Sequence, residues 1–162
     1  MGVVSVTAGK VVGYAKGEAD AKIKEGENND NKYGRWFKMN NVPWCMIFVQ
    51  WCFSCAKAKD LILRTAGCEA FEAWAVKEKL TVSPVMVQPG DIVLFDFHKE
   101  KKSVHVEIAI GPIDTKTHLI PTVGGNTCAD GAKGSQANGD GVYYKKRKLE
   151  SIRLVVRPNW KD

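Results

Sequence analysis

The sequence predicts an α+β fold, with helices in its first half packed on an antiparallel β-sheet built from its second half. Two observations carry the prediction. Up to about residue 80 the apolar residues recur every three or four positions, the spacing of one helix face. From Pro84 onward the period shortens to two, with turn residues separating the runs, which is the signature of strands. Helices first and strands afterwards give segregated layers around one core. The 162 residues suffice for a single substantial core, and neither an internal repeat nor a linker divides them, so one domain spanning 1–162 is expected.

Taken in order, Thr7 is placed to cap a first helix in which Ala8, Val11, Val12, Ala15, Ala19 and Ile23 follow the i, i+3/i+4 pattern. The polar run Lys24 to Lys32 reads as a surface loop; its carboxylates and amides lack the alternation of a calcium loop. Tyr33, Trp36 and Phe37 form an aromatic cluster ahead of the central stretch, Asn41–Ala58, which is read as a largely buried amphipathic helix. In it Met46, Val49 and Phe53, flanked by Phe48, Cys52 and Cys55, make the apolar side, and Gln50, Ser54 and Lys57 the polar stripe. Gly67 breaks the pattern, and a third helix is expected from about Cys68 to Lys79, burying Phe71, Trp74 and Ala75. Pro89-Gly90 is a turn before a central strand, Asp91–Phe97, and His98–Ser103 is a charged loop. Val104 to Ile110 alternates, with Val104, Val106, Ile108 and Ile110 on one face and His105, Glu107 and Ala109 on the other. Leu119–Val123 pairs next, followed by Gly124-Gly125-Asn126. A glycine-rich loop, Asp130–Gly141, leads to the strands Val142–Arg147 and Ile152–Arg157.

Composition excludes several classes. The hydrophobic fraction of 44% and charged fraction of 26% belong to a globular protein. No run of about 18 apolar residues is present, so no membrane insertion is expected. The N-terminal stretch has no charged start followed by an apolar core of about 7–15 residues, so a signal peptide is not expected. Five cysteines, an odd number in a chain that is neither small nor loop-dominated, point to reduced thiols rather than a disulfide framework. The formal charge of +6 favours an anionic partner: nucleic acid, a membrane surface or an acidic polymer such as bacterial cell wall.

The chemistry begins at Cys45. Pro43 and Trp44 lead directly into it, so the thiol opens the central helix, where unpaired N–H groups and the positive end of the dipole favour the nucleophilic thiolate. Cysteine-based acyl transfer then needs a histidine to exchange protons and a polar group to orient it. His105 lies mid-strand on the less apolar face, whereas His98 and His118 fall in loop-like stretches. The thiols have two other uses to set against this one. Cys52 and Cys55 form a CxxC inside a helix rather than at its start, which favours core thiols over a redox pair. The spacings of Cys52, Cys55, Cys68 and Cys128 do not make a recognised zinc pattern, and no metal is expected.

With these residues in view a resemblance emerges. P-W-C-x-x-F-V-x-W (Pro43–Trp51), then P-G-D-I-V-L-F (Pro89–Phe95), H-V-x-I-x-x-G (His105–Gly111), G-N-T (Gly125–Thr127) and finally Arg157-Pro158 resemble, in order, the CHAP family of cysteine, histidine-dependent amidohydrolases/peptidases. The match runs from about residue 8 to Trp160. The stretch GSQANGDGVYYKKR (Gly134–Arg147) also resembles phage-encoded members that cut bacterial peptidoglycan. The resemblance implies a papain-like fold, with Cys45 as nucleophile, His105 as base and Asn126 on the strand end that orients the imidazole. The chain departs from the pattern at two places. Members often read Glu-Gly-Asn where this chain has Gly124-Gly125-Asn126, and glycine where it has Glu107. If the two strands are neighbours, Glu107 would supply the displaced charge as a second orienting group, while Asn126 can orient an imidazole without a carboxylate.

The resemblance further implies a peptidoglycan hydrolase of phage lysin type, an N-acetylmuramoyl-L-alanine amidase or peptidoglycan endopeptidase needing no cofactor. Its substrate groove would be walled by Tyr33, Trp36 and Trp44, and its oxyanion hole made by the Cys45 N–H with a donor near Asn40 or Asn41. The chain would be a monomer, made in the host bacterial cytoplasm and acting at the cell wall, with no nucleic-acid partner. Two alternatives stay open at this level: a cysteine peptidase or amidase on a non-wall substrate, and a degenerate, non-catalytic module that grips the wall or a nucleic acid through its lysines.

Overall fold

The computed structural model describes residues 5–162; the first four residues of the N-terminal stretch read above for a signal peptide lie outside them. Four helices precede a six-stranded, wholly antiparallel sheet. The helices are α1 (Val6–Asp20), α2 (Lys32–Phe37), α3 (Cys45–Cys55) and α4 (Cys68–Lys77). The strands are β1 (Thr81–Val82), β2 (Ile92–Phe95), β3 (His105–Ala109), β4 (Leu119–Thr127), β5 (Gly141–Lys148) and β6 (Ile152–Val156), in the spatial order β1-β6-β2-β3-β4-β5. The α+β class and the sequence of layers are those expected.

α1 forms where its stripe was expected, burying Ala8, Val11, Val12, Ala15 and Ala19. Its cap, however, is Ser5, whose hydroxyl accepts from the Ala8 N–H, and not Thr7. Thr7 is already inside the helix, and its N–H and hydroxyl both donate to the Asp162 carboxylate. The aromatic cluster read as a lead-in segment is itself helical, because the Asn31 side chain accepts from Gly34 N–H and caps α2.

α3 is the buried centre of the molecule. Cys45 through Gln50, Cys52 and Phe53 are all buried, and the helix packs on α1, α2, β3 and β4. Its polar stripe is narrower than expected. Gln50 is buried, and its amide donates to the Leu63 and Thr65 carbonyls, so it binds the following segment instead of water. α4 ends at Lys77; Phe71 and Ala75 are buried while Trp74 stays half-buried.

The sheet places the site. β3 runs between β2 and β4, with Phe95 opposite His105 and Ile108 opposite Val123. Alternation sends Val106 and Ile108 into the core beneath the helices, while Ala109 joins Val93, Phe95, Ile120 and Val155 on the other face. The expected alternation is met, yet all five β3 residues are buried, so His105 and Glu107 are polar side chains inside the protein.

Candidate active site

Cys45 is the first residue of α3, behind Trp44, whose side chain does not cap the helix. The intrahelical ladder begins with the Phe48 N–H on the Trp44 carbonyl. The amide groups of the first turn therefore have no partner four residues back, and the positive end of the helix dipole lies at the thiol. Cys45 is 5% exposed and His105 is fully buried. His105 Nε2 lies 2.9 Å from the Glu107 Oε2. The other ring nitrogen, Nδ1, is buried and makes no hydrogen bond of good geometry; the titrating side chain that acts on the ring besides Glu107 is Cys45. Nδ1 is thus the nitrogen left to exchange a proton with the thiol.

The charges at this site favour an ion pair. The Cys45 thiol is held well below its ordinary range, first by a hydrogen bond from Cys68, whose Sγ is 3.8 Å away, and then by His105, against the cost of burial. Burial works against a charged His105, but the Cys45 thiolate and Glu107 raise its pKa to about 9. Burial likewise opposes the Glu107 charge, and Arg147 with His105 brings its pKa down to about 2. The four groups alternate in sign, thiolate, imidazolium, carboxylate and guanidinium, so the buried cluster carries no net charge.

Glu107 is fixed at both oxygens. Oε1 accepts from the Thr122 hydroxyl at 2.6 Å and from Arg147 Nε at 2.8 Å, while Oε2 accepts from Arg147 Nη2 at 2.6 Å. This fork-to-fork arrangement allows one carboxylate position. The guanidinium lies 5.2 Å and 5.1 Å from the ring centroids of Phe95 and Phe97, and its Nη1 donates to Gln136.

The sequence-derived site residues fare unequally. Cys45, His105 and Glu107 come together, with Glu107 in the primary orienting position. Extending the Ile108–Val123 register by one residue sets Glu107 opposite Gly124. A Cβ on Gly124 would fall 2.5 Å from the Glu107 Cγ and Oε2. The carboxylate of Glu107 therefore occupies the space a side chain at 124 would enter.

Asn126, expected to orient the imidazole, makes no hydrogen bond to it. The register of β4 shifts between Gly124 and Thr127, and Asn126 takes the left-handed φ of 56°. Its Nδ2 donates to the Ala137 carbonyl at 3.4 Å, and its Oδ1 is buried without a hydrogen-bond partner. The hydrogen bond on Nε2 of His105 is made by Glu107 and not by Asn126.

The groove residues are also corrected. Tyr33 and Trp44 have no exposed surface; their rings stack at 5.4 Å, with the Tyr33 hydroxyl on Glu18 at 2.8 Å and the Trp44 indole on Glu25 at 3.4 Å. They back the site from inside the core. Trp36 is 40% exposed, but it borders a separate hollow with Gln50, Ser54 and Arg64. Asn40 is occupied in tying the preceding loop, accepting from Asn31 N–H and donating to Asp30, and Asn41 donates to the Asn28 carbonyl. A cleft of about 1070 Å³ lies between Lys24–Asn29 and the glycine-rich loop, with Glu25, Lys133, Asp140 and Tyr143 among its walls.

Three residues of the cluster escaped sequence reasoning. Arg147 and Thr122 sit on strands that were recognised, but which side chains meet across a sheet depends on register. Cys68 carried a readable signal, since it opens a helix just as Cys45 does. Cys52 and Cys55 are different: burial, chiefly, raises both thiols, so neither is primed as a nucleophile. Among the described residues no group of three or more His, Cys, Asp or Glu side chains is placed to hold a metal ion, and no helix is long and apolar enough to cross a membrane.

Comparison with protein-family models, curated proteins and solved structures returns no match for this chain.

Proposed function

We propose that the chain is a cysteine-dependent amide hydrolase of CHAP type with a papain-like arrangement, and that its substrate is bacterial peptidoglycan. The observation that carries the reading is the buried relay in which Glu107 holds Nε2 of His105 and leaves Nδ1 for Cys45. The geometry supports a two-stage reaction. The Cys45 thiolate attacks the amide carbonyl carbon, and the developing oxyanion is stabilised by the free N–H groups at the start of α3. The imidazolium gives its Nδ1 proton to the departing amine, the C–N bond breaks and a thioester remains. Neutral His105 then takes a proton from water as it attacks the thioester. Cys45 leaves as thiolate and His105 is protonated again, which restores the starting ion pair.

The wall as substrate rests on the stretch Gly134–Arg147, which resembles phage-encoded wall-cutting members, and on the +6 charge, which suits an anionic polymer. The cleft between the 24–29 segment and the glycine-rich loop is the proposed entry for the substrate chain, because Glu25 on its wall also holds Trp44, the neighbour of Cys45. A non-catalytic binding module was suggested by the missing glutamate at 124. That motive weakens once Glu107 fills its space.

The test is mass spectrometry of purified peptidoglycans incubated with the wild-type chain and with Cys45→Ala. New amino termini released by the wild type alone are the expected result, and their identity names the bond. A folded, reduced wild-type chain that releases nothing from any wall overturns the wall reading.

A further inference from the structure

Cys68 has no step in the hydrolysis just described, yet its sulfur is 3.8 Å from that of Cys45. We propose that Cys45 and Cys68 are a reversible oxidation pair, in which Cys68 resolves a sulfenic acid formed on Cys45 by a hydroperoxide and the resulting disulfide switches the nucleophile off.

The geometry supplies the pairing. Each cysteine is the first residue of its helix, α3 and α4, so two helix starts converge on one point. Closing a disulfide brings the sulfurs to about 2.05 Å, a shift of under 2 Å that side-chain rotation and a small movement at a helix end can supply. Neither helix start is clamped by a side-chain cap: Trp44 and Gly67 at the two cap positions make no such bond. The other thiols are placed differently. Cys52 and Cys55 lie further along α3, and the Cys128 sulfur accepts from Gln136 Nε2 at 2.9 Å. Cys45 and Cys68 are 5% and 9% exposed, which admits a small peroxide and excludes a second protein's thiol.

Their protonation states divide the roles. Cys45 is the thiolate of the pair, whereas the neighbouring Cys45 sulfur, followed by burial, pushes the Cys68 thiol up, so Cys68 keeps its proton. Cys45 thiolate attacks one peroxide oxygen, the O–O bond breaks, and the products are a Cys45 sulfenic acid and hydroxide. Cys68 sulfur then attacks the oxidised Cys45 sulfur. The S–O bond breaks, and the hydroxyl leaves with the Cys68 proton as water. Two sulfurs have been oxidised and one peroxide reduced. A small dithiol reverses the bond by exchange. Without a resolving thiol so near, the sulfenic acid would continue to sulfinic acid, which thiols do not reverse.

The experiment is treatment of the reduced chain with hydrogen peroxide, followed by intact mass and a non-reducing peptide map, for wild type, Cys68→Ser and Cys45→Ser. Wild type is expected to lose the mass of two hydrogens, to yield a Cys45–Cys68 linked peptide and to recover fully with dithiothreitol. Cys68→Ser is expected to gain two oxygens on Cys45 irreversibly, and Cys45→Ser to form no disulfide to Cys68. A wild-type chain whose Cys45 accumulates sulfinic acid as fast as in Cys68→Ser, or whose disulfide joins other cysteines, overturns the proposal. Should Cys68→Ser fail to fold, the presence or absence of the linked wild-type peptide decides alone. No wall is needed here, so a chain that closes the disulfide but cuts no peptidoglycan keeps this inference and loses the hydrolase reading, and a wall-cutting chain that stays active in peroxide does the reverse.

Discussion

At the scale of single residues, His105 sets the working range. With its pKa raised to about 9 by Cys45 and Glu107, the imidazolium stabilises the fold fully below its ordinary value of 6.5, and that contribution is lost as pH rises through about 9. Glu107, held down to about 2, contributes above 4.5 and loses its contribution as pH falls through about 2. Between those limits the relay is charged and the thiolate has its proton donor. Under the proposed reaction, activity is expected to decline on the alkaline side near pH 9, where His105 would lose the proton that the leaving amine requires. In Glu107→Gln the alkaline limb should move down by about one pH unit or more, and labelling of Cys45 by iodoacetamide at about pH 6 should slow, because an imidazolium without its carboxylate partner supports the thiolate less. Selective labelling of Cys45 over the other four thiols checks both. An unchanged pH profile in Glu107→Gln would remove Glu107 from the orienting role.

Single elements decide what such a substitution costs. β3 and β4 share one space for a carboxylate, entered from position 107 and closed to position 124, whose Cβ would meet Glu107 at 2.5 Å. Glu107 cannot step aside, because Arg147 and Thr122 hold both oxygens. Gly124→Ala is expected to destabilise the fold by about 1–3 kcal/mol, the usual range for overpacking a filled core, measured by urea unfolding. Moving the carboxylate across the strand pair, Glu107→Gly with Gly124→Glu, should return stability and the alkaline limb toward wild type. A double variant no better than Glu107→Gly alone would show that the site depends on strand as well as space. The same pair of strands explains Asn126: the bulge after Gly124 turns its backbone out of the ladder and commits its amide to the glycine-rich loop.

Across the whole molecule, the site and the scaffold are held by different contacts. The site end of the sheet is pinned by Arg147, which joins Glu107 to Gln136 of the glycine-rich loop. Elsewhere, Trp160 stacks on Phe53 of α3 at 5.7 Å, and Asp162 accepts from Thr7 at the start of α1. This clasp ties the segment after β6 to the helical layer. Trp160→Ala is expected to lower stability by about 2 kcal/mol, from the apolar area it covers, while leaving the His105 titration in place. Urea unfolding beside the pH dependence of Cys45 labelling separates the two effects. A shift in both would mean that the clasp positions α3 itself.

Much of this was legible in the chain. The change of hydrophobic period at Pro84 determined the α+β class, because a helix and a strand present their buried faces at different spacings. Cys45 was legible because a thiol at a helix start owes its setting to local structure, and His105 because the alternation around it marks a strand, although the structure places it at the first residue of β3 and not mid-strand. α2 was hidden, since a six-residue helix capped by Asn31 has too few turns to show a period. What only the tertiary structure decided were the partners. The clamp of Thr122 and Arg147 on Glu107, the stacking of Tyr33 on Trp44, and the approach of Cys68 to Cys45 all join residues 11 to 40 positions apart. Register, a bulge and the meeting of two helix starts are properties of the packed chain. No local pattern encodes them, because each depends on where a second, distant segment comes to rest.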